Sequence, residues 1–434
     1  MHPTTILLLD TEGIASNLYP FSILHPSFEL RCGGLRLFEK FRWLYPSTQF
    51  LFYAPANERL MHLASFTARF GTHAATHLPH TSSVLILYGN VLAHIEWQHT
   101  FHTILTNALE QHRETPLVFT AHTKPFAAFL PYRIAQQTSL ESASKFDNAL
   151  YANAPRFDVP STLQITYLWD ALEYNSRAIE HDAALFRMYY HSLYSSTRHT
   201  EFTSGVYVLD AERIIVDTNV DIAPCVVLDA RGGSIVLGKN VQIQPHVSIV
   251  GPCFIDDNVL IKAGTRIYEG TTLGTLSKVG GEIKNTIIQG FSNKQHDGCL
   301  GYSFLGEWVN LGAGTNVSDL KNNYSTIRVR FSDSKEHEIS TGRTSLGLLA
   351  GDHTKSAINT SFNTGTVTGI SANIFERTPE KYVPSFSWGG GLSSSRFDID
   401  KALALARTVM MRRNKTLLPE EESLLRYEFA RSIQ

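Results

Sequence analysis

Residues 237–273 read LGKNVQIQPHVSIVGPCFIDDNVLIKAGTRIYEGTTL, and an aliphatic residue recurs at every sixth position of this stretch. The column consists of Leu237, Ile243, Ile249, Ile255, Ile261, Ile267 and Leu273. A second column keeps the same period four residues later, through Val241, Val247, Cys253, Val259, Thr265 and Thr271. Neither the helical period of 3.6 nor the strand period of 2.0 gives this spacing. The stretch therefore predicts a parallel β-helix built from hexapeptide repeats.

In such a fold each hexad supplies one short strand, three hexads close one triangular coil, and the aliphatic residues fill a shared interior. The coils bury this column only by stacking on their neighbours, as in other solenoids. The period is interrupted between residues 275 and 303 by a segment rich in Gly, Lys and Asn, which predicts a loop that projects from the coils. The period then resumes at Leu305. Alternation through Ile327, Val329 and Phe331 predicts an excursion of two paired strands.

The chain of 434 residues is long enough for two or three domains. We assign residues 1–205 to an α/β domain with a largely parallel sheet, residues 206–390 to the β-helix and residues 391–434 to a helical tail. In the first domain the predicted elements are strands at 5–9, 50–53 and 84–87, a helix at 58–70 and a helical connection over 164–195. In the tail, Asp398 or Asp400 can cap a helix that ends near Met411, and Pro419 opens another.

Composition narrows the class of protein. With 43% apolar and 18% charged residues and a net charge of −2, the chain is globular and lacks the basic surface of a nucleic-acid binder. No stretch approaches the eighteen apolar residues of a membrane span, and the N-terminus is interpreted as a first buried strand. The four cysteines are widely spaced, which argues against a zinc site and a disulfide framework, so no metal is predicted and the expected compartment is the cytoplasm.

Two cations and a histidine form the candidate site. Arg266 and Lys284 are eighteen residues apart, so a constant coil length would stack them and let them clamp a phosphate group. His296, expected on the projecting loop, can act as a general base near neutral pH. The chain has eighteen histidines, however, and most histidines are surface or packing residues.

The residues around this site carry a resemblance to a known family. The run from Arg266 to Thr315, with its motif Asn310-Leu-Gly-Ala-Gly-Thr315, resembles the acetyltransferase half of the bifunctional N-acetylglucosamine-1-phosphate uridylyltransferase / glucosamine-1-phosphate acetyltransferase family. The pair Asn323-Tyr324 resembles that family's Asn-Tyr pair. The resemblance implies a left-handed β-helix, a homotrimer with sites between subunits, and acetyl-coenzyme A as acyl donor.

The resemblance also implies roles for individual residues. His296 would be the catalytic base, and the substrate-binding residues would be Arg266, Lys284, Asn310, Asn323 and Tyr324. Ala313 and Gly351 would contact the acyl-coenzyme A. The sequence departs from the family at Cys299, where the family carries a tyrosine that binds the sugar phosphate.

The first domain resembles the nucleotidyltransferase half more weakly. The stretch 7–13 lacks the glycine-rich loop that cradles a nucleoside triphosphate, and Asn90 replaces the aspartate that binds magnesium, which argues against a Mg²⁺ site. The candidate nucleotide-binding residues that remain are Arg31, Lys40 and Asn90. A basic cluster follows the Gly33-Gly34 pair and either holds nucleotide phosphates or forms a solvated helix face; it consists of Arg31, Arg36, Lys40 and Arg42.

Three functions follow. The first is an acyltransferase that moves an acetyl group from acetyl-coenzyme A to an amino sugar phosphate. The second is a sugar-1-phosphate nucleotidyltransferase whose β-helix serves as a trimerisation scaffold. The third is a non-catalytic regulator that binds a nucleotide sugar.

Overall fold

The computed structural model describes residues 4–54, 59–79, 82–193, 204–332, 334 and 338–432, and the backbone alone for 190–193. In the described residues it consists of an N-terminal α/β domain, a parallel β-helix and two C-terminal helices, as predicted. The predicted boundary at 205/206 stays a prediction, since residues 194–203 lie outside the described ranges.

In its described residues the first domain contains eight strands: β1 (Thr5–Leu9), β2 (Gln49–Tyr53), β3 (Val84–Tyr88), β4 (Val91–Leu92), β5 (Leu117–Ala121), β6 (Lys124–Leu130), β7 (Arg156–Asp158) and β8 (Leu163–Gln164). Six of them form one sheet in the order β2-β1-β3-β6-β5-β7. The sheet is mixed, because β6 runs antiparallel to both β3 and β5. Only His122 and Thr123 separate β5 from β6, and both have positive φ, so the chain reverses in a tight hairpin. The prediction of a largely parallel sheet missed this turn.

Helices surround this sheet and lead out of the domain. They are α1 (Glu12–Ala15), α2 (Leu37–Leu44), α3 (Leu60–Phe70), α4 (Ile95–Gln111), α5 (Tyr132–Ala135), α6 (Leu140–Ser144) and α7 (Leu168–Leu193). The predicted strands and helices are found within a few residues of their expected bounds, although Glu58 lies outside the described residues. The long helix α7 is the predicted connection, and it packs along the β-helix.

The β-helix has three faces. Within the described part of the chain, face 1 has nine parallel strands, at Ile214–Val216, Ile235–Leu237, Cys253–Ile255, Thr271–Leu273, Ile287–Gly290, Phe304–Glu307, Leu348–Ala350, Thr366–Thr368 and Tyr382–Val383. Face 2 has strands at Asp221–Ile222, Gln242–Ile243, Leu260–Ile261, Lys278–Val279, Asn293–Lys294, Lys355–Ser356, Asn373–Ile374 and Ser387–Gly389, and an antiparallel strand at Ser395–Arg396. Face 3 has strands at Tyr207–Leu209, Val227–Asp229, Ser248–Val250, Arg266–Ile267, Glu282–Lys284, Cys299–Gly301, Asn316–Val317 and Ser361–Phe362.

Both hexapeptide columns point inward and are buried, which confirms the prediction from the period. The segment 275–303 is not a projecting loop, however. Its strands continue all three faces in parallel register, for example Lys278 beside Asn293 and Glu282 beside Cys299. The period is lost there because the corners between strands become shorter, and not because the chain leaves the coil.

Face 1 is buried on both sides. Ile235, Leu237 and their equivalents fill the interior, whereas the alternate side chains, such as Val236, Phe254 and Phe304, pack against α7 and the first domain. Strands buried on both sides favour continuous apolar runs, which is what this face contains. The β-helix and the first domain therefore share an extensive apolar contact.

Two further predictions are confirmed. An excursion after Val317 contains the antiparallel pair Arg328–Val329 and Ile339–Ser340. The tail forms α8 (Ile399–Met411), whose N-cap Asp398 accepts a hydrogen bond from the Lys401 amide, and α9 (Pro419–Arg431). The tail packs on α3 and on the last coils of its own chain.

Candidate functional site

Arg266 and Lys284 both lie on face 3, but they do not stack. The register pairs Arg266 with Glu282, so this coil takes sixteen residues where the prediction assumed eighteen. Arg266 Nη2 is 3.2 Å from Glu282 Oε2, and Lys284 Nζ is 3.4 Å from Glu269 Oε1. Burial lowers the pKa of Lys284, but Glu269 more than offsets this and the pKa is raised. The predicted stacking is wrong, although both cations belong to one exposed surface.

His296 occupies the corner that joins the face 2 strand Asn293–Lys294 to the face 3 strand Cys299–Gly301. Its side chain is exposed and, within the described part of the chain, has no hydrogen-bond partner. The imidazole is therefore free to meet a substrate.

Lys294 fixes the backbone of this corner. It pairs in register with the inward-facing Val279, and its side chain is buried. Its Nζ donates to the carbonyl oxygens of His296, at 2.5 Å, and Asp297, at 3.1 Å. Burial lowers the pKa of Lys294 to about 8. A buried ammonium thus holds in place the two peptide groups that carry the histidine.

Asn310 lies on face 2, on the other side of the His296 corner from Arg266. It bridges Asn293 and Lys355 in parallel register. Asn293 Nδ2 donates to Asn310 Oδ1 at 3.2 Å, and Arg413 Nη2 donates to Asn293 Oδ1 at 2.7 Å. The turn that follows α8 is therefore tied to the same coils as His296.

A basic patch on face 2 was not predicted from the sequence. It consists of Lys262, Lys278, Arg412 and Arg413, and in the described residues none of the four forms an ion pair with a carboxylate. Burial, followed by the charges of Arg413, Arg412 and Lys262, lowers the pKa of Lys278. Uncompensated cations at close range favour a bound anion. The run Arg412-Arg413 with Lys415 was the available sequence signal.

The remaining residues implied by the resemblance lie in three places. Ala313 is in the corner that stacks on the His296 corner, where the Gly314 amide donates to the Asp297 carbonyl at 3.1 Å. Gly351 is buried at the corner between faces 1 and 2, away from Ala313. Asn323 and Tyr324 lie on the excursion and are exposed. Within one chain, only Ala313 adjoins the histidine.

Cys299 also lies on face 3, directly beside Glu282. Burial, and then the charges of Glu282 and Asp319, raise the pKa of its thiol. The thiol is therefore not activated as a nucleophile.

In the first domain, Lys40 is neither solvated nor open to a ligand. Its Nζ lies 2.5 Å from both carboxylate oxygens of Asp182, and the Gly34 and Leu35 amides donate to Asp182 Oδ2 at 2.8 and 3.1 Å. A Cβ at Gly33, whose φ is +80°, would come within 2.5 Å of that oxygen. Backbone amides and a lysine around an anion resemble a phosphate cradle, but the chain's own carboxylate fills it.

Arg31 and Asn90 have structural partners as well. Arg31 Nη2 is 2.8 Å from Asp256 of the β-helix, and Asn90 Nδ2 donates to the Ile165 carbonyl at 3.0 Å. At the edge of the sheet beyond β1 and β3, a Cβ on Gly89 would lie 2.7 Å from Ser27 Oγ. In α/β domains, ligands bind in the crevice at the carboxyl ends of the strands. In this domain, residues near Ser27 fill that crevice beside β1 and β3.

Comparison with known proteins agrees with this architecture. Residues 6–188 match the family model described as sugar nucleotidyl transferase. The bifunctional sugar-1-phosphate nucleotidylyltransferase/acetyltransferase of Sulfurisphaera tokodaii is 29% identical over 163 residues, 33% of this chain and 40% of that protein. The bifunctional protein GlmU of Thermotoga petrophila is 32% identical over 132 residues, 26% of this chain and 30% of that protein. Over these aligned segments the chain is similar to bifunctional proteins of the GlmU type.

These alignments span less than half the length of either relative. Among solved structures, the UDP-N-acetylglucosamine acyltransferase of Francisella novicida is similar with a TM-score of 0.31 and 15% identity, covering 51% of this chain and 75% of that one. Among the described helices, none combines the length and the apolar character needed to cross a membrane.

Proposed function

We propose that the β-helix transfers an acyl group from an acyl-coenzyme A, acetyl-coenzyme A in the first instance, to the amine of an amino sugar phosphate. The observation that carries this proposal is the position of His296. Its corner separates two cationic surfaces, Arg266 and Lys284 on face 3 and the basic patch on face 2. Both substrates are anionic, and the reacting groups would meet between them.

Each surface suits a different anion. The ion pairs of Arg266 and Lys284 with Glu282 and Glu269 are exposed and therefore weak, so a sugar phosphate can displace the carboxylates. The basic patch would hold the phosphates of the coenzyme, with Ala313 beside the same corner. Asn310 would orient the acyl donor or the sugar through its amide.

His296 would act as the general base. Its ring accepts a proton from the attacking amine as the new amide bond forms and the thioester bond breaks, and coenzyme A leaves as the thiolate. A base in this role commonly contributes about 10²- to 10⁴-fold to the rate. Lys294 supports the role indirectly, because it holds the backbone of the corner.

We also propose a homotrimer with sites shared between neighbouring subunits. Large apolar side chains stay exposed on the last coils, including Ile358, Phe375 and Trp388. Exposed apolar groups that lie together favour burial against another protein surface. In a shared site, the exposed Asn323 and Tyr324 would complete the surroundings of a neighbour's His296, whereas Gly351 is buried in its own chain.

The decisive experiment measures thiol release from acetyl-coenzyme A with amino sugar phosphates as acceptors. We expect His296→Ala to lower turnover by at least about 100-fold while light scattering shows the same oligomer. His246 is the matched control, since it is an exposed histidine at the equivalent corner three coils earlier. His246→Ala should retain wild-type turnover. Undiminished turnover in His296→Ala would remove this residue from the mechanism.

A second candidate function, sugar-1-phosphate nucleotidyl transfer, is favoured by the family match over residues 6–188. Two observations argue against this function. The carboxylate of Asp182, on α7, already accepts a hydrogen bond from the Gly33-Gly34 loop, and the buried side-chain amide of Asn90 donates to the backbone. Pyrophosphate release from nucleoside triphosphates and a sugar 1-phosphate would support it. Thermal stabilisation by a nucleotide sugar without turnover would instead support a regulator that only binds.

A further inference from the structure

A cluster of ionisable side chains lies away from the proposed acyl-transfer site, where the first domain meets the β-helix and the tail. His25, Glu307 and Asp352 are buried, and each offers a possible ligand atom within 4.8 Å of the other two. His25 precedes the 3-10 turn Ser27–Glu29, Glu307 ends a face 1 strand, and Asp352 follows the next strand of that face. Residues more than 300 positions apart in the sequence thus converge on one point.

Hydrogen bonds orient these three side chains. His25 Nδ1 is 3.0 Å from Glu29 Oε2, and Arg69 donates to both oxygens of Glu29 at 2.5 and 2.7 Å. His25 Nε2 therefore faces Asp352 Oδ2, at 2.8 Å. A histidine whose far nitrogen is held by a carboxylate is the usual arrangement around a protein-bound metal. Asp352 is held in turn, since its Oδ1 accepts a hydrogen bond from the Glu307 amide at 3.0 Å.

Space and a further donor are present at the same point. A cavity of about 20 Å³ is lined by the three side chains together with Arg69, His353 and Glu421, enough for one water or one ion. His353 is 6% exposed, and its Nδ1 has no hydrogen-bond partner in the described chain. A buried ring nitrogen without a partner is costly, and a ligand in the adjoining cavity would satisfy it. Gly306 leaves room for the carboxylate, because a Cβ there would lie 2.2 Å from Asp352 Oδ1.

The side chains around the cavity include more carboxylates than guanidinium groups. Four carboxylates lie there: Glu307 pairs with Arg36, Glu29 and Glu421 pair with Arg69, and Asp352 pairs with His25. Arg36 is also shared with Glu39. Buried charges without counter-charges are strongly disfavoured. A divalent cation would add to the positive charge that Arg36 and Arg69 supply against these four carboxylates.

A second histidine cluster provides a contrast. His94, Glu96 and His181 also lie close together, but His94 Nδ1 accepts a hydrogen bond from the Trp97 amide at 3.3 Å. The neutral ring then carries its proton on Nε2. The two imidazoles stack face to face, with centroids 4.0 Å apart, so their in-plane lone pairs do not converge. This cluster is not arranged to bind an ion.

We propose that His25, Glu307 and Asp352 bind one divalent transition-metal ion, with His353 as a further donor. A nitrogen ligand with two carboxylates suits Zn²⁺, Mn²⁺, Fe²⁺ or Co²⁺ and not Mg²⁺ or Ca²⁺. The ion links the first domain to two successive face 1 strands beside α9. Its role is to hold these parts together, independently of acyl or nucleotidyl transfer.

The test uses the full-length protein without a histidine tag, produced in zinc-supplemented medium. Elemental analysis should find about one metal ion per chain. Removal with a chelator should lower the melting temperature, and Zn²⁺ should restore it. Co²⁺ added to the stripped protein should give the visible absorption of a nitrogen- and oxygen-ligated ion. Protein without metal, without a Co²⁺ spectrum and without a Zn²⁺-dependent melting shift would overturn the proposal.

Two variants locate the site. Asp352→Asn and Glu307→Gln keep the side-chain shape and should each weaken Zn²⁺ binding by at least about tenfold. His181→Gln is the control, taken from the contrasting cluster, and should bind as the wild type does. Metal lost in His181→Gln but retained in Asp352→Asn would contradict the assignment. If both site variants fail to fold, the melting shift of the wild-type protein still decides.

Discussion

Lys40 and Asp182 form an ion pair in which each side chain is only 1% exposed, and this pair joins α2 to α7. The carboxylate also accepts hydrogen bonds from two amides of the Gly33-Gly34 loop. Burial raises the pKa of Asp182, but Lys40 and these amides oppose the shift. The first domain therefore depends on an internal anion at the place where related sequence patterns suggested a nucleotide.

Asp182→Asn should destabilise the protein by about 3–5 kcal/mol, because it leaves the ammonium of Lys40 buried without a counter-charge. The amide oxygen can still accept from the loop. The measurement is denaturant-induced unfolding. The double variant Lys40→Met/Asp182→Asn should recover most of the loss, and a double variant no more stable than the single one would contradict this account.

Ile261→Ala should cost about 2–5 kcal/mol, because it empties part of the interior column of the β-helix. Thermal unfolding followed by circular dichroism provides the measurement. Gln242, an exposed residue on the same face, is the control, and Gln242→Ala should stay within about 0.5 kcal/mol of the wild type. Equal effects at the two positions would mean that the column does not carry the stability of the fold.

The stability of the protein should rise between about pH 8 and pH 10.5 through Lys294. Its pKa is about 8 in the folded protein and has a usual value of 10.5, so within this window the unfolded chain binds more protons than the folded one. Lys294→Met should reduce the rise in melting temperature. Part of it should remain, because burial also lowers the pKa of Lys355 to about 8.

The control for this pH effect is Lys145→Met, since Lys145 is exposed and pairs with Glu141. It should retain the wild-type rise. If Lys294→Met and the wild type show the same dependence on pH, the pKa of Lys294 is not lowered in the folded protein.

Arg413→Ala should raise the KM for acetyl-coenzyme A by about tenfold or more and change kcat less, if the basic patch binds the phosphates of the donor. Added salt should raise the wild-type KM as well. Arg407 on the same helix is the control, because it pairs with Glu422 outside the patch. An unchanged KM in Arg413→Ala would show that the patch binds another anion or none.

The sequence predicted the parts of the fold that depend on local period. The inward columns around Ile249 and Ile267 were recognisable because every coil places an aliphatic residue at the same point of its strand. The register of Arg266 with Glu282 was not predictable, since one or two residues lost from a corner do not disturb the inward pattern within each strand.

Contacts between segments that are distant in the sequence could not be predicted either. Arg413 reaches Asn293 only because the tail folds back on its own β-helix, and His25 meets Asp352 only because the first domain covers face 1. Neither contact is accompanied by a repeating pattern of residues in the sequence. The candidate site could therefore be predicted as a set of residues on the coils, but its second cationic surface could not.

The covering of face 1 limits how copies of this chain can associate. Side chains along that face, from Val236 to Tyr382, are already packed against the first domain and α7. A ring of identical subunits built through the β-helix has only the other two sides of the prism to use, with the edge that carries His296 between them. In the homotrimer proposed above, the first domains would lie on the outside of the ring, and each His296 would lie beside the boundary between adjacent copies.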